Sequence, residues 1–416
     1  MKYIICFILL FFALGNITAQ DKLPPRLSLS DAERIARENK PELKKGANKI
    51  SSAEGKYFTG VSPQMPELSL TYDFVPLGTG LGNYEERIIE LSQSIEFPLK
   101  TIYKGKQLNN AIDIVKAENN VTYLNIINDV RRAYIILLEK QALIKIAEEN
   151  CNVANEFKTK SLIRFNLGEA ANLEKLTAEV QYTQALNNLE VLKNQYKIAL
   201  SDLLYSVGLK ESSDNYNPLL VDSLMYIPFN ESIETVILNV RKTNPSVILS
   251  EFNKSGSLIG KKIANSSYLP DFLLGYKRQS ISGLNNYYGV VVGISVPLWF
   301  MFDQRGRIET ANAEIKISEN ESDEIYISAV NEANKAFINL KNSEQQILLY
   351  KNTLIPQSDE IFRVANAGYR IGDITYLEYL PAKQTLMMTK ENYIYALKDY
   401  NLNLINLEKA IGRKLY

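Results

Sequence analysis

The stretch ELSLTYDFV, Glu67–Val75, alternates strictly: Leu68, Leu70, Tyr72 and Phe74 fall on one parity, and Glu67, Ser69, Thr71 and Asp73 on the other. Successive side chains of a strand point to opposite faces, so this stretch predicts a strand with one apolar and one polar side. Just downstream, Ile89, Leu91, Ile95 and Phe97 alternate with Glu90, Ser92, Ser94 and Glu96. Two further runs lie far along the chain. Phe272, Leu274 and Tyr276 oppose Gly275 and Lys277, while Tyr288, Val290, Val292, Ile294 and Val296 oppose Gly289, Gly293 and Ser295. Turn formers separate the members of each pair: Gly78, Gly80 and Gly82 in the first, and Gly283, Asn285 and Asn286 in the second. The glycine spacing at 78–82 has the look of a phosphate-binding loop, but it lacks the strand–turn–helix setting such a loop needs.

Each run is about ten residues long, the length of a tilted strand across a hydrocarbon layer. Two readings follow. One is a soluble four-stranded sheet with a greasy face. The other is a membrane barrel to which several subunits contribute, because four strands cannot close a barrel and lipid tolerates no open edge. Periodicity alone does not count the subunits. Trp299, Phe300 and Phe302 follow the last run, and Tyr84, Tyr287 and Tyr288 sit near the turns. These aromatics suit either membrane-interface girdles or helix–strand packing.

The two hairpins, at about 67–97 and 271–297, belong to a duplication with an offset of about 204 residues. Pro41, Pro66, Tyr72, Gly168, Glu174 and Gly208 recur as Pro245, Pro270, Tyr276, Gly372, Glu378 and Gly412. Each half therefore has one plan: a helix, a β-hairpin, then a long helical pair. The expected boundaries are 20–209 for the first repeat and 231–416 for the second, with helical pairs at 99–208 and 303–412. Residues 210–230, which hold Pro218 and Pro228, read as the linker.

Between Pro98 and Pro218 there is no proline, and the only glycines are Gly105, Gly168 and Gly208. Very long helices are therefore permitted, and the apolar spacing supports them. Ile127, Val130, Tyr134 and Leu137 step by three and four and continue at Ile144, with Gln141 in the missing position, and Tyr393, Leu397, Tyr400, Leu404, Leu407 and Ile411 step by three and four without a break. These are narrow coiled-coil seams on otherwise polar helices. They suit the wall of a water-filled tunnel or an ordinary coiled-coil stalk.

Residues 1–19 read as a secretory signal peptide: Lys2, an uncharged run from Ile4 to Leu14, then small residues up to Ala19. Beyond that leader the chain has one cysteine, Cys151, so no internal disulfide is expected. Lysine plus arginine equals aspartate plus glutamate at 47 each, which offers no net field to nucleic acid. There are no histidines, which removes the commonest general base and transition-metal ligand together. No carboxylate pair, Ser–Lys arrangement or calcium-loop spacing stands out, so we expect no catalysis, no cofactor and no metal centre. No later segment reaches the roughly 18 uncharged apolar residues of a spanning helix, so any membrane crossing must use strands.

Several segments, in order, resemble one family. They are LSLSDAERIARENKPEL (Leu27–Leu43), SQSIEFP (Ser92–Pro98) followed by Lys104-Gly105-Lys106, and ISVPLW (Ile294–Trp299) followed by Arg305-Gly306-Arg307. Together they resemble the outer-membrane efflux proteins of the TolC type, and the likeness covers nearly the whole chain after the leader. The resemblance implies a mainly α protein with a membrane β-barrel. It implies a homotrimer whose protomers each give four strands to a 12-stranded barrel, continued by a tunnel of coiled-coil helices. It implies a passive outer-membrane duct with its helical part in the periplasm of a Gram-negative bacterium. The implied partners are a periplasmic adaptor, an inner-membrane pump and outer-membrane lipid, in systems that export drugs or heavy metals.

The family's adaptor-contact tips fall here on Arg164, Asn166, Gly168, Tyr369, Arg370 and Gly372, and its pore aperture on Glu378 and Asp373. Symmetry copies of such acids would form a ring that binds cations and repels anions. A solvated surface charge is the plain alternative for Glu378. The family's second aperture acid falls at Pro381, where this sequence departs from the pattern. The lipid-facing positions are Leu68, Leu70, Tyr72, Phe74, Val290, Val292 and Ile294. Two rival functions stay open on sequence alone: an exported coiled-coil envelope scaffold, and the same duct serving type I protein secretion.

Overall fold

The computed structural model describes residues 24–209, 216, 218–296 and 301–415. The expected signal peptide, most of the first part of the linker, and Trp299 and Phe300 lie outside the described residues.

In chain order the first half holds β1 (Arg26–Leu27), α1 (Leu29–Asn39), α2 (Pro41–Val61), β2 (Glu67–Asp73), β3 (Glu86–Ile95), α3 (Pro98–Asn166) and α4 (Asn172–Ser206). The second half holds β4 (Leu219–Leu220), α5 (Ile233–Thr243), α6 (Pro245–Ser266), β5 (Asp271–Ile281), β6 (Leu284–Ser295), α7 (Asp303–Leu349), α8 (Ile355–Ile371) and α9 (Tyr376–Ile411). Matched positions of the two halves share backbone geometry. Pro41 and Pro245 open α2 and α6, and the residues before them, Lys40 and Asn244, share φ −65° with ψ 117° and 120°. A residue before proline is pushed out of the α region, so each proline both ends one helix and starts the next. Gly168, Gly372, Gly208 and Gly412 all take left-handed φ, at 77°, 83°, 82° and 85°. At Gly412 only glycine fits, because a Cβ would lie 2.3 Å from the Thr243 carbonyl oxygen.

The chain forms two compact units. One comprises Lys40–Asn128, Ile227–Ile347 and the chain from Asp399 onward. It holds a four-stranded sheet of order β2-β3-β5-β6, antiparallel throughout. Register sets the faces. Leu70 lies opposite Ile89, Ile89 opposite Arg278, and Arg278 opposite Tyr288. Leu68, Leu91, Tyr276 and Val290 form the next row, and Ile95, Phe272 and Ile294 the last. Four apolar parities thus merge into one face, since directly opposed residues share a side of the sheet.

Two sequence readings need correcting in this unit. β2 ends at Asp73, and Phe74, expected on the lipid-facing strand, has φ 56° and lies past the strand. A left-handed residue breaks the extended alternation, so strand parity no longer assigns Phe74 to that face. The second turn is also tighter than expected. Ser282 and Gly283, at φ 46° and 82°, make it alone, while Asn285 and Asn286 are strand residues. Two consecutive positive φ values form the turn whose twist matches a hairpin. The same unit has a helical core built on Phe229, Leu340, Ile347, Tyr400, Leu407 and Ile411, all nearly inaccessible. The Asn244 side chain ties α6 to the end of α9 by donating to the Ala410 carbonyl at 2.8 Å.

The other unit comprises residues up to Asn39, Asp129–Tyr226 and Leu348–Lys398. Its β1 and β4 form a two-residue parallel ladder that sequence reading missed. The Tyr134 hydroxyl donates to the Leu27 carbonyl and to Asp222, and Arg131 pairs with Glu33 at 2.6 Å. Leu143, Ala147, Cys151 and Ala154 of α3 pack on Ala185, Leu189 and Leu192 of α4, and of the expected seam only Ile144 lies against this cluster, partly buried. Before Pro356 the helix widens into a π-helical segment, Tyr350–Leu354, so the first member of the pair expected over 303–412 has three parts. Proline removes a backbone donor, which loosens the turn before it.

Candidate functional site

The helical turns carry the residues expected at the duct tip. α3 ends at Asn166, and Gly168 reverses the chain while the Glu169 amide donates to the Arg164 carbonyl at 2.9 Å. α8 ends at Ile371, and Gly372 does the same while the Asp373 amide donates to the Gly368 carbonyl, also at 2.9 Å. This is the left-handed glycine cap that satisfies the last carbonyls of a helix.

Arg164 and Tyr369, predicted as separate tip residues, are brought together by a third residue, Glu174. The Arg164 guanidinium lies 3.1 Å from Glu174 Oε1, and the Tyr369 hydroxyl donates to the same oxygen at 3.0 Å. Sequence reading left Glu174 out of the site. Its only sequence signal was its pairing with Glu378 in the repeat. Beneath this triad lies an aromatic stack: the Phe157 ring sits 3.9 Å from that of Tyr376, nearly parallel, with Tyr379 and Tyr369 beside it. Burial raises the pKa of the Tyr376 phenol, and burial pushes that of Tyr379 up to about 12. The Tyr369 phenol is raised by burial first and by Glu174 second. All three phenols stay protonated at neutral pH and act as apolar walls with a donor at the edge.

Glu378 behaves differently from its repeat partner. It is exposed, and its Oε2 accepts from the Thr375 amide at 2.7 Å and the Thr375 hydroxyl at 3.0 Å. These bonds supply the carboxylate half of a capping box at the start of α9 and hold the carboxyl below its ordinary pKa. Asp373, Asn166 and Arg370 are exposed, and no contact joins Asp373 to Glu378 among the described residues. Among the described residues no cluster of three potential ligands could hold a metal ion, and no helix is long and apolar enough to cross a membrane.

The second region is the sheet's apolar face. Leu68, Leu70, Val290, Val292 and Ile294 are each more than half exposed, as are Tyr276 and Tyr288. At its helix end, Phe97 stacks on Phe272 with centroids 6.0 Å apart. At its turn end, Tyr72 meets Tyr84 edge-on at 5.1 Å. The same face also holds two arginines that sequence reading missed, Arg87 and Arg278. Strand parity carried that signal, because Arg87 is two residues before Ile89 and Arg278 two after Tyr276.

Most of this chain, residues 34–209 and 243–413, matches the family model for outer membrane efflux proteins. The chain belongs to the outer membrane efflux protein family, and it is an efflux channel of the Gram-negative outer membrane. It is 22% identical to the outer membrane protein TolC of Escherichia coli (strain K12), over 92% of this chain and 83% of that protein. It is 21% identical to the cobalt-zinc-cadmium resistance protein CzcC of Cupriavidus metallidurans, over 93% and 90%. Among solved structures, the outer-membrane channel OprN superposes with a TM-score of 0.76 at 14% identity, covering 93% of this chain and 90% of that one. The open state of the Neisseria gonorrhoeae MtrE outer membrane channel gives 0.76 at 16%, covering 94% and 89%. Channels, not enzymes, are what this fold resembles.

Proposed function

We propose that the protein is the outer-membrane exit duct of a tripartite efflux system, through which small toxic compounds or metal ions pass passively to the exterior. Three copies pool their four strands into a 12-stranded barrel, and their long helices continue it as a periplasmic tunnel. The observation that carries this reading is the sheet itself. β2 and β6 each pair with one neighbour only, and the face they flank is apolar and exposed. Open edges beside an apolar face need partner strands in lipid, and further copies of the chain supply them. Residues 1–19 serve as the export leader, and no cofactor takes part.

At the turns between the paired long helices, Arg164, Asn166, Gly168, Tyr369, Arg370 and Gly372 meet the periplasmic adaptor, which couples the duct to an inner-membrane pump. Asp373 and Glu378 line the aperture. The bonds from Thr375 support this role for Glu378, because they keep its carboxylate ionised and fixed on its helix. The pump and adaptor choose the cargo.

The test is the native mass of the complex after detergent extraction of the outer-membrane fraction. Three protein copies in a detergent-dependent particle are expected. A water-soluble monomer or dimer would refute the duct and leave an envelope scaffold.

A further inference from the structure

Among the described residues, the turn end of the sheet's apolar face carries positive charge that no carboxylate pairs. Arg87 and Arg278 lie on adjacent strands, β3 and β5. Arg87 is opposite Ser280 and Arg278 opposite Ile89, so the two arginines are diagonal neighbours on one face. Such neighbours stand about 7–8 Å apart, within reach of one polyatomic anion. Neither guanidinium forms an ion pair with a carboxylate among the described residues, and the strand positions of this face include no acid. The nearest strand acid in sequence, Glu86, lies on the opposite face, beside Gln279. Ser280 adds a hydroxyl that is buried without any hydrogen-bond partner.

Aromatics frame this pair. The Arg87 guanidinium lies 5.6 Å from the centre of the Tyr84 ring, and Tyr72 and Tyr288 occupy the same two rows of the sheet as the arginines. The helix end of the hairpins is the control. There the basic residues are already neutralised, with Lys100 2.9 Å from Asp271 and Lys104 3.8 Å from Glu96. From Ile95 to Arg87 the strand rises about 27 Å, so the arginines stand at one rim of the apolar band and not at its middle.

An arginine facing hydrocarbon is costly at mid-depth and nearly free at the interface, where tyrosine also concentrates. A guanidinium fork suits phosphate, which it can hold through two parallel bonds. We propose that Arg87 and Arg278, with Ser280 and the tyrosine rim, dock the phosphate groups of an anionic lipid headgroup in the leaflet at the hairpin turns. This inference rests on the barrel reading, because only a face turned to the membrane meets headgroups.

The test uses the full chain as the detergent-extracted complex. Native mass spectrometry compares retention of a bisphosphorylated glycolipid with that of the same lipid after removal of its phosphates. Two basic residues at a membrane surface predict roughly 30-fold stronger retention of the phosphorylated form. An Arg87→Gln/Arg278→Gln double variant should lose that preference, an Arg87→Lys/Arg278→Lys variant should keep most of it, and Lys100→Gln should leave it unchanged. Equal retention of both lipids by the wild-type complex, or an unchanged preference in the double glutamine variant, overturns the site. Full displacement by an equal concentration of inorganic phosphate also overturns it, because the groups would then hold a free anion and not a lipid. A chain that enters no membrane and binds neither lipid removes the duct reading itself, which distinguishes that failure from this one.

Discussion

The two glycine turns of this protein share one backbone and differ in everything built on it. Gly168 and Gly372 have φ values of 77° and 83°, and each is followed by an amide that reaches back to close the helix. Yet Glu174, after the first turn, bridges to Arg164 and Tyr369, while Glu378, at the matching place after the second, caps its own helix. Phe157 precedes the first turn and is buried in an aromatic stack. Its counterpart at the repeat offset, Ile361, is 51% exposed. The two turns therefore keep what the backbone needs and leave side chains free to take different roles.

The contrast can be broken most directly at the buried ring. Phe157→Ala should destabilise the extracted complex by about 3–5 kcal/mol, while Ile361→Ala should stay within about 0.5 kcal/mol, the range of an ordinary surface change. Comparable shifts in the denaturation midpoint would mean the two turns are equivalent in packing as well as backbone. The shared half of the contrast lies in the glycines. Gly168→Ala and Gly372→Ala should each cost about 1–2 kcal/mol, because a Cβ at either position meets open space and only the left-handed φ is penalised. Clearly unequal costs would show that one turn carries additional strain.

Alkaline pH isolates the aromatic cluster in which Phe157, before the first turn, meets the tyrosines that flank the second. A phenol titrates near 10.0 when unperturbed and near 12 at Tyr379. Because the folded value is raised, this residue's contribution is fully present below about pH 10 and is lost as pH rises towards 12. Melting curves of the wild type should fall across that window, and those of Tyr379→Phe should fall less. Among the substitutions expected to move stability, the acids come last. Glu174→Gln should cost about 1 kcal/mol, since its partner Arg164 has 38% of its side chain exposed and solvent screens the pair. Glu378→Ala should leave assembly intact while changing conductance or cation block in bilayer recordings. Unaltered pore behaviour would remove Glu378 from the aperture.

Local physics wrote much of this into the sequence. The alternation of Leu68, Leu70 and Tyr72, and of Val290, Val292 and Ile294, specified strands because a period of two is incompatible with a helix. The proline-free stretch after Pro98 specified a helix that runs on to Asn166. Gly168, Gly372 and Gly412 marked their turns because few other residues tolerate a positive φ. What the sequence could not display were contacts between distant residues. Glu174 meets Tyr369 across 195 positions, and Arg26–Leu27 pairs with Leu219–Leu220 through a ladder too short to carry any period. The π-helical segment before Pro356 also escaped, since proline signals an interruption without choosing its form.

The sequence alone thus determined the elements and the apolar character of each strand, because propensity and period act between near neighbours. Only the tertiary structure decided that four separate parities merge into one face, and that two unpaired arginines stand together at its rim. Register is set by pairing between strands, and pairing joins residues that the chain keeps far apart.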